Sequence, residues 1–206
     1  MAGTPRSSVY IHIDTSDVNR VMERLRYVLT QKQFELLMYR VFKRTGEHVK
    51  TIIKCEVPKE YVAKPSWIAS NIGAPKMSFG GIGGASVGCT IPIDGARGVL
   101  GSRFPAAGPR GRRRKGGKIT IHASIVRGQT STLPSVMSHQ GGQPPFFNNG
   151  VVMTRKGKSR LPIVRVAGLG VPQMPMNRSR DDVQEDIMDT ITARIEHEYA
   201  RLIGGS

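Results

Sequence analysis

Hydrophobic and polar residues first alternate, then recur at helical spacing. In "VYIHID" (residues 9–14) Val9, Ile11 and Ile13 alternate with Tyr10, His12 and Asp14, which predicts a half-buried strand. "TSDVNRVMERLRYVL" follows, with Thr15, Ser16 or Asp17 as N-cap and Val18, Val21, Met22, Leu25, Val28 and Leu29 at intervals of three and four, a short amphipathic helix. Thr30 and Gln33 have capping-box spacing, so a second helix starts there. Its stripe of Phe34, Leu37, Met38, Val41, Phe42, Val49, Ile52 and Ile53 runs across Gly46; glycine costs about 1 kcal/mol relative to alanine but does not end a helix. Pro58 is expected to stop it.

Past the helices the pattern breaks up. "KEYVAKPSWIASNIG" reads as a short helix or turn that aims Tyr61, Trp67, Ile68 and Ile72 inward, with Ser66 as cap after Pro65. "APKMSFGGIGGASVG" is glycine-rich and nearly uncharged, and reads as a flexible connection. From Cys89 the period returns to two: "CTIPID" and "KITIHASIV" are strand-like, the second with Ile119, Ile121, Ala123 and Ile125 on one face. "GVVMTRKGKSRLPIVRV" reads as a hairpin around a basic turn at 155–160. Finally Val183, Ile187, Ile191, Ile195, Tyr199 and Ile203 step by four, widened by Met188 and Leu202, giving a C-terminal helix. Asp181, Asp182, Glu185 and Asp186 crowd its N-terminal turns and Arg201 its last, as the helix dipole favours.

The elements amount to an α+β fold. N-terminal helices and a C-terminal helix pack on a small, mainly antiparallel sheet with long basic and Gly-rich loops. A chain of 206 residues suits one domain with extensions. Its parts are a strand and helical part (9–72), a Gly-rich segment (73–88), a β region with basic loops (89–178) and the C-terminal helix (180–203).

Charge changes the picture. The net charge is +16 and the pI about 10.5, and between Glu60 and Asp181 the only acid is Asp94. Unpaired cations on that scale predict binding to phosphates or to an acidic surface. They concentrate in two places: Arg110, Arg112, Arg113, Arg114, Lys115 and Lys118 within "GPRGRRRKGGK", and Arg155, Lys156, Lys158 and Arg160 in the later turn. The first cluster lies between strand candidates and reads as a hairpin tip. No aromatic residue lies within it, which argues against a single-strand stacking platform.

Catalytic chemistry is not apparent. "GGASVGCT" has Walker-like glycine spacing, but Cys89 stands where the lysine belongs. "GGIGGAS" places Ser86 at the third glycine of a dinucleotide fingerprint. His12, His48, His122, His139 and His197 form no ligand motif, and Cys55 and Cys89 stand apart. The carboxylates of the last helix are read as dipole compensation rather than metal ligands. The expectation is a non-enzymatic protein with no catalytic residues, no metal and no cofactor. No signal peptide or membrane span is legible, and a reducing compartment fits.

From Asp94 onward, "TIPIDGARGVLGSRF", "KGGKITIHASIVRG" and "FFNNGVVMTRKGKSRLPIVRVAGLGVPQM" together resemble the phage minor tail protein Z family, the tail completion proteins. Phe146, Phe147, Asn149 and Gly150 match its aromatic-NG element, Leu161, Pro162 and Ile163 its R-x-P-I strand, and Gly168, Val171, Pro172, Gln173 and Met174 its following segment. The run "TLPSVMSHQGGQPPFF" replaces the apolar strand usual before the NG. The resemblance implies a structural virion protein of the tail or neck, made in the host cytoplasm, with no membrane association. It implies a homo-oligomeric, most simply hexameric, ring that meets tail terminator, tail tube and neck proteins, with sequence-independent DNA contact in its lumen. Trp67, Phe146, Phe147, Leu161, Pro162, Ile163, Val171, Pro172 and Met174 are the expected assembly contacts. The competing reading is a cellular basic nucleic-acid-binding protein, whose basic loop would touch phosphates directly.

Overall fold

The computed structural model describes residues 6–13, 25, 28–80, 86–108, 120–133 and 143–204. Its architecture is α+β. The central element is β3 (Ser86–Val99), fourteen residues long. β1 (Arg6–Ile13) lies antiparallel along one side, from Arg6 opposite Ala96 to Ile13 opposite Cys89. On the other side β2 (Lys76–Gly80) pairs near the start of β3 and β10 (Ala167–Gly170) near its end. Between them Pro92 has no N–H to give, and its carbonyl accepts the Gly73 N–H at 2.8 Å.

Two smaller sheets complete the β structure. One comprises β4 (Ala106–Ala107), β5 (His122–Ala123) and β6 (Ser131–Thr132); the other β7 (Phe146–Asn148), β8 (Val151–Arg155) and β9 (Ile163–Arg165). The predicted strand at 9–14 is therefore present, with Tyr10 outward at 60% exposure and Ile13 buried. The Gly-rich connection is corrected: Lys76–Gly80 and the first residues of β3 pair as antiparallel strands, because Met77 and its neighbours find a ladder that glycine content conceals.

α1 (Gln31–Glu60) starts as its capping box requires: the Gln33 N–H donates to Thr30 Oγ1 and the Thr30 N–H donates to Gln33 Oε1 at 3.0 Å. Pro58 does not stop it. The helix continues to Glu60, with the Tyr61 N–H closing on the Val57 carbonyl, since proline's fixed φ is itself helical and only its missing donor is lost. The preceding predicted helix lies mostly outside the described residues; its Leu25 is buried, and the Leu25 carbonyl accepts the Leu29 N–H. α2 (Pro65–Ala69) is a single turn capped by Lys64 rather than Ser66, with Pro65 at its first position, where the lost N–H costs nothing. It buries Trp67 and Ile68.

α3 (Arg180–Ile203) buries Val183, Ile187, Ile191 and Ile195, while Ile203 at its end is exposed. It packs on α1, and one carboxylate, 154 residues along the chain from one of its partners, ties the helices. Glu198 is 1% exposed; its Oε1 accepts from Arg44 Nη1 at 2.9 Å, and its Oε2 lies 2.8 Å from Arg201 and 3.8 Å from Arg40. The Arg201 contact is an ion pair outside hydrogen-bond geometry, so Oε2 lacks a true hydrogen bond. The three arginines are 37–49% exposed, which lets solvent share their charge and weakens the pair relative to a fully buried one.

Around Trp67 packing is tight. Its ring meets Phe104 edge-on with centroids 5.7 Å apart, and a methyl at Gly98 would approach Trp67 Cη2 to 2.7 Å and also strike the Phe104 ring. Gly98→Ala is expected to cost about 1–3 kcal/mol through overpacking, read as a lower urea midpoint. Glu198→Gln, which keeps the shape but removes the charge, is expected to cost about 1–3 kcal/mol and to abolish the stability loss caused by Arg44→Ala in a double-mutant cycle.

Candidate functional site

The exposed basic hairpin is built from its anchor outward. Leu100, just past β3, donates its N–H to the Val166 carbonyl and accepts the Val152 N–H, at 3.0 and 3.1 Å; Val166 in turn donates to the Val152 carbonyl. All three side chains are buried, so the β7–β8–β9 sheet is bolted to the end of the central strand. Thr154, also buried, donates its hydroxyl to the Gln143 carbonyl at 2.8 Å.

β7 and β8 join through Asn149 and Gly150, with φ of 48° and 77°, the paired positive values of a type I′ hairpin turn. Gly101, itself at φ 85°, abuts this turn: a Cβ there would run into the Gly150 carbonyl. β8 and β9 pair from Met153 opposite Arg165 to Arg155 opposite Ile163, confirming the hairpin expected around 155–160. Its tip is closed by the Lys156 N–H on the Pro162 carbonyl at 3.1 Å, and the Leu161–Pro162 peptide is cis.

Arg155, Lys156, Lys158 and Arg160 are all exposed. The Arg155 guanidinium lies over the Phe146 ring at 5.5 Å, a cation–π contact that orients it. Among the described residues none of these four cations makes an ion pair within 4 Å. Beside them Leu161 is 68% and Ile163 37% exposed, and Pro162 is exposed as well. The tip is thus basic and apolar together.

Arg110, Arg112, Arg113, Arg114, Lys115 and Lys118 lie outside the described residues, but the stem that presents them is visible. On either side of them in the chain, Ala106 pairs with Ala123 and Ala107 with His122, antiparallel. The strand on their N-terminal side is Ala106–Ala107, not "CTIPID", which pairs with β1 and β2; the turn around Gly101 to Phe104 intervenes. A methyl at Gly108 would come within 2.7 Å of the Phe147 ring. The root of the arginine segment therefore rests against β7 of the basic hairpin's own sheet.

The expected assembly contacts divide. Leu161, Pro162 and Ile163 are exposed, and Phe146 and Phe147 half-buried. Trp67, Val171, Pro172 and Met174 are buried in the protomer. The reason is local: Val171–Gln173 forms a 3-10 turn against β3 and β1, capped by the Gln173 side chain on the Gly170 N–H at 3.1 Å.

Two features were not read from the sequence. One is the arginine clamp on Glu198, whose helical spacing from Arg201 was visible but whose partners on α1 were not. The other is Asp189, which carries the acids already read at 181, 182, 185 and 186 further along α3, beyond the reach of the helix dipole.

Among the described residues no three of His, Cys, Asp and Glu form a group able to hold a metal. The Cys89 thiol, buried beneath Gly46, is pushed up to about 11 by burial, which keeps it protonated at neutral pH. No described helix is long and apolar enough to cross a membrane. No family model, curated protein or solved structure matches the chain.

The exposed hairpin thus offers four cations beside an apolar edge. If the four hairpin cations contact duplex phosphates, replacing Arg155, Lys156, Lys158 and Arg160 by alanine flattens the slope of log affinity against log salt by about 3 to 4. A fluorescence-anisotropy titration on a short duplex reads this. An unchanged slope excludes phosphate contact by the hairpin.

Proposed function

We propose that the chain is a structural virion subunit of the tail completion type. Copies form a ring, most simply six-fold, at the head-proximal end of a phage tail, joining tail tube to neck and letting DNA pass. The observation that carries this reading is the hairpin: four exposed cations without an ion pair among the described residues, and an exposed Leu161-Pro162-Ile163 edge, rise from an anchor buried at Leu100, Val152 and Val166. Charged and apolar groups exposed side by side on a well-held stem suit docking to a partner, and the motifs that resemble the minor tail protein Z family occupy this region.

In this reading the subunit needs no catalytic group, metal or cofactor. Tail terminator, tail tube and neck proteins are its neighbours, and DNA contact in the lumen is sequence-independent. The arginine segment supports either a lumenal or an interfacial position, because long-range attraction serves both.

Particles purified by density gradient from the producing host test the proposal. The chain is expected in the particle fraction at several copies per particle, with cryo-EM density at the junction of tail and neck. A chain missing from purified particles but recovered from the lysate on nucleic acid in a salt-sensitive manner supports the cellular nucleic-acid-binding reading instead.

A further inference from the structure

The protomer separates its charges in space. Among the described residues the cations of the hairpin make no ion pair, while Asp181, Asp182, Glu185, Asp186 and Asp189 gather on the N-terminal half of α3. At 3.6 residues per turn these five positions fall within about 140° of the helix circumference, on the side away from Val183 and Ile187. Asp181, Asp182, Glu185 and Asp189 are exposed and Asp186 is half-buried. Among the described residues none has an ion-pair partner within 4 Å. The nearby cations are Arg178 and Arg180, just before the stripe, and Lys59. Lys59 is held above the usual lysine range mainly by its hydrogen bond to Glu56, with smaller contributions from Asp186 and Asp182.

On the Val183 and Ile187 side of α3, bordering the stripe only where Gln184 and Met188 adjoin Asp181 and Glu185, an open groove of about 280 Å³ runs between β1 and α3, its apolar wall formed by Ile11, Ile13, Val183, Ile187 and Met188. Tyr10 and Met176 at its rim are 60% and 40% exposed. Arg180 and Gln184 are its polar members. An acidic stripe beside an apolar groove is the counterpart of a basic tip beside an apolar edge.

We infer that the basic hairpin of one copy docks on the α3 face of a second copy. Lys156, Lys158 and Arg160 face the acidic stripe, and Leu161 and Ile163 enter the groove. The two surfaces belong to different parts of the fold, since α3 packs on α1 and the hairpin on β7. The contact is therefore head to tail, and repetition closes a ring or extends a filament. The interface deepens the proposed assembly, resting on that reading for ring closure alone. Charge complementarity selects the orientation: hairpin against hairpin, or α3 against α3, sets like charges together.

Two variants test it. Glu185→Lys/Asp186→Lys/Asp189→Lys leaves two acids against three lysines and so reverses the net charge of the stripe without placing cations in the first helical turn, where they would oppose the dipole. Lys156→Glu/Lys158→Glu/Arg160→Glu reverses the hairpin. Sedimentation velocity of the wild-type full chain at low salt is expected to show concentration-dependent association that falls as salt is added. Each variant alone associates about tenfold or more weakly. An equimolar mixture of the two regains association, because each variant's hairpin then meets an oppositely charged α3 on the other; recovery also shows that both are folded. Wild-type protein that stays monomeric at every concentration overturns the inference, as does a mixture no more associated than its components. Rescue by mixing, with the chain absent from particles, leaves the interface standing and removes the virion role. The chain in particles without rescue does the reverse.

Discussion

β3 is the constraint on which the remaining structure depends. Its fourteen residues take β1 on one side and both β2 and β10 on the other, so strands from the start, the middle and the later part of the chain are aligned on one ladder. Side-chain alternation then decides what each face meets: Cys89, Ile91 and Ile93 are buried, while Asp94 is exposed. A slip of one residue would exchange those sets. Beyond Val99 the same chain direction delivers Leu100 to the Val152–Val166 ladder, and through it the basic hairpin inherits the rigidity of the central sheet. The hairpin is thus positioned by a core that it does not itself contain.

The second ordering element is ionic. Glu198 on α3 meets Arg40 and Arg44 of α1, with Arg201 of its own helix beside it, and the Arg178 N–H reaching Tyr61 Oη at 3.3 Å ties the entry of the chain into α3. With its apolar stripe turned inward, α3 displays its acids outward. The +16 chain is therefore not uniformly basic but polar in the electrical sense, and a surface of this kind has a directional preference that net charge alone does not supply.

Much of this was legible in the sequence where one element carries its own signal. β1 announced itself by alternation, α1 by Thr30 and Gln33, α3 by its four-residue stripe, and the β8–β9 hairpin by a basic turn between apolar runs. What escaped depends on partners far along the chain. β2 looks like a glycine linker until β3 supplies its ladder. Pro58 looks like a stop until Tyr61 closes the turn on Val57. Val171, Pro172 and Met174 form a recognisable motif, but whether such residues face a neighbour or the core is settled only by where β10 and the 3-10 turn come to lie. Glu198 is one more helical glutamate until Arg40 and Arg44 are seen beside it. The candidate site was legible as composition, in its cations and in Leu161-Pro162-Ile163; its orientation was not, and the acids of α3 were legible as residues but not as an exposed face.

The central claim is that the hairpin is a surface completed by assembly and mounted on a protomer already formed. Hydrogen–deuterium exchange read by mass spectrometry, comparing the isolated chain with the chain in purified particles, tests it most directly. Slowing of the amides at 156–163 by about tenfold or more, with those of α1 unchanged, is the predicted result. Equal exchange at 156–163 in both states, or slowing that appears first in α1, would contradict the account.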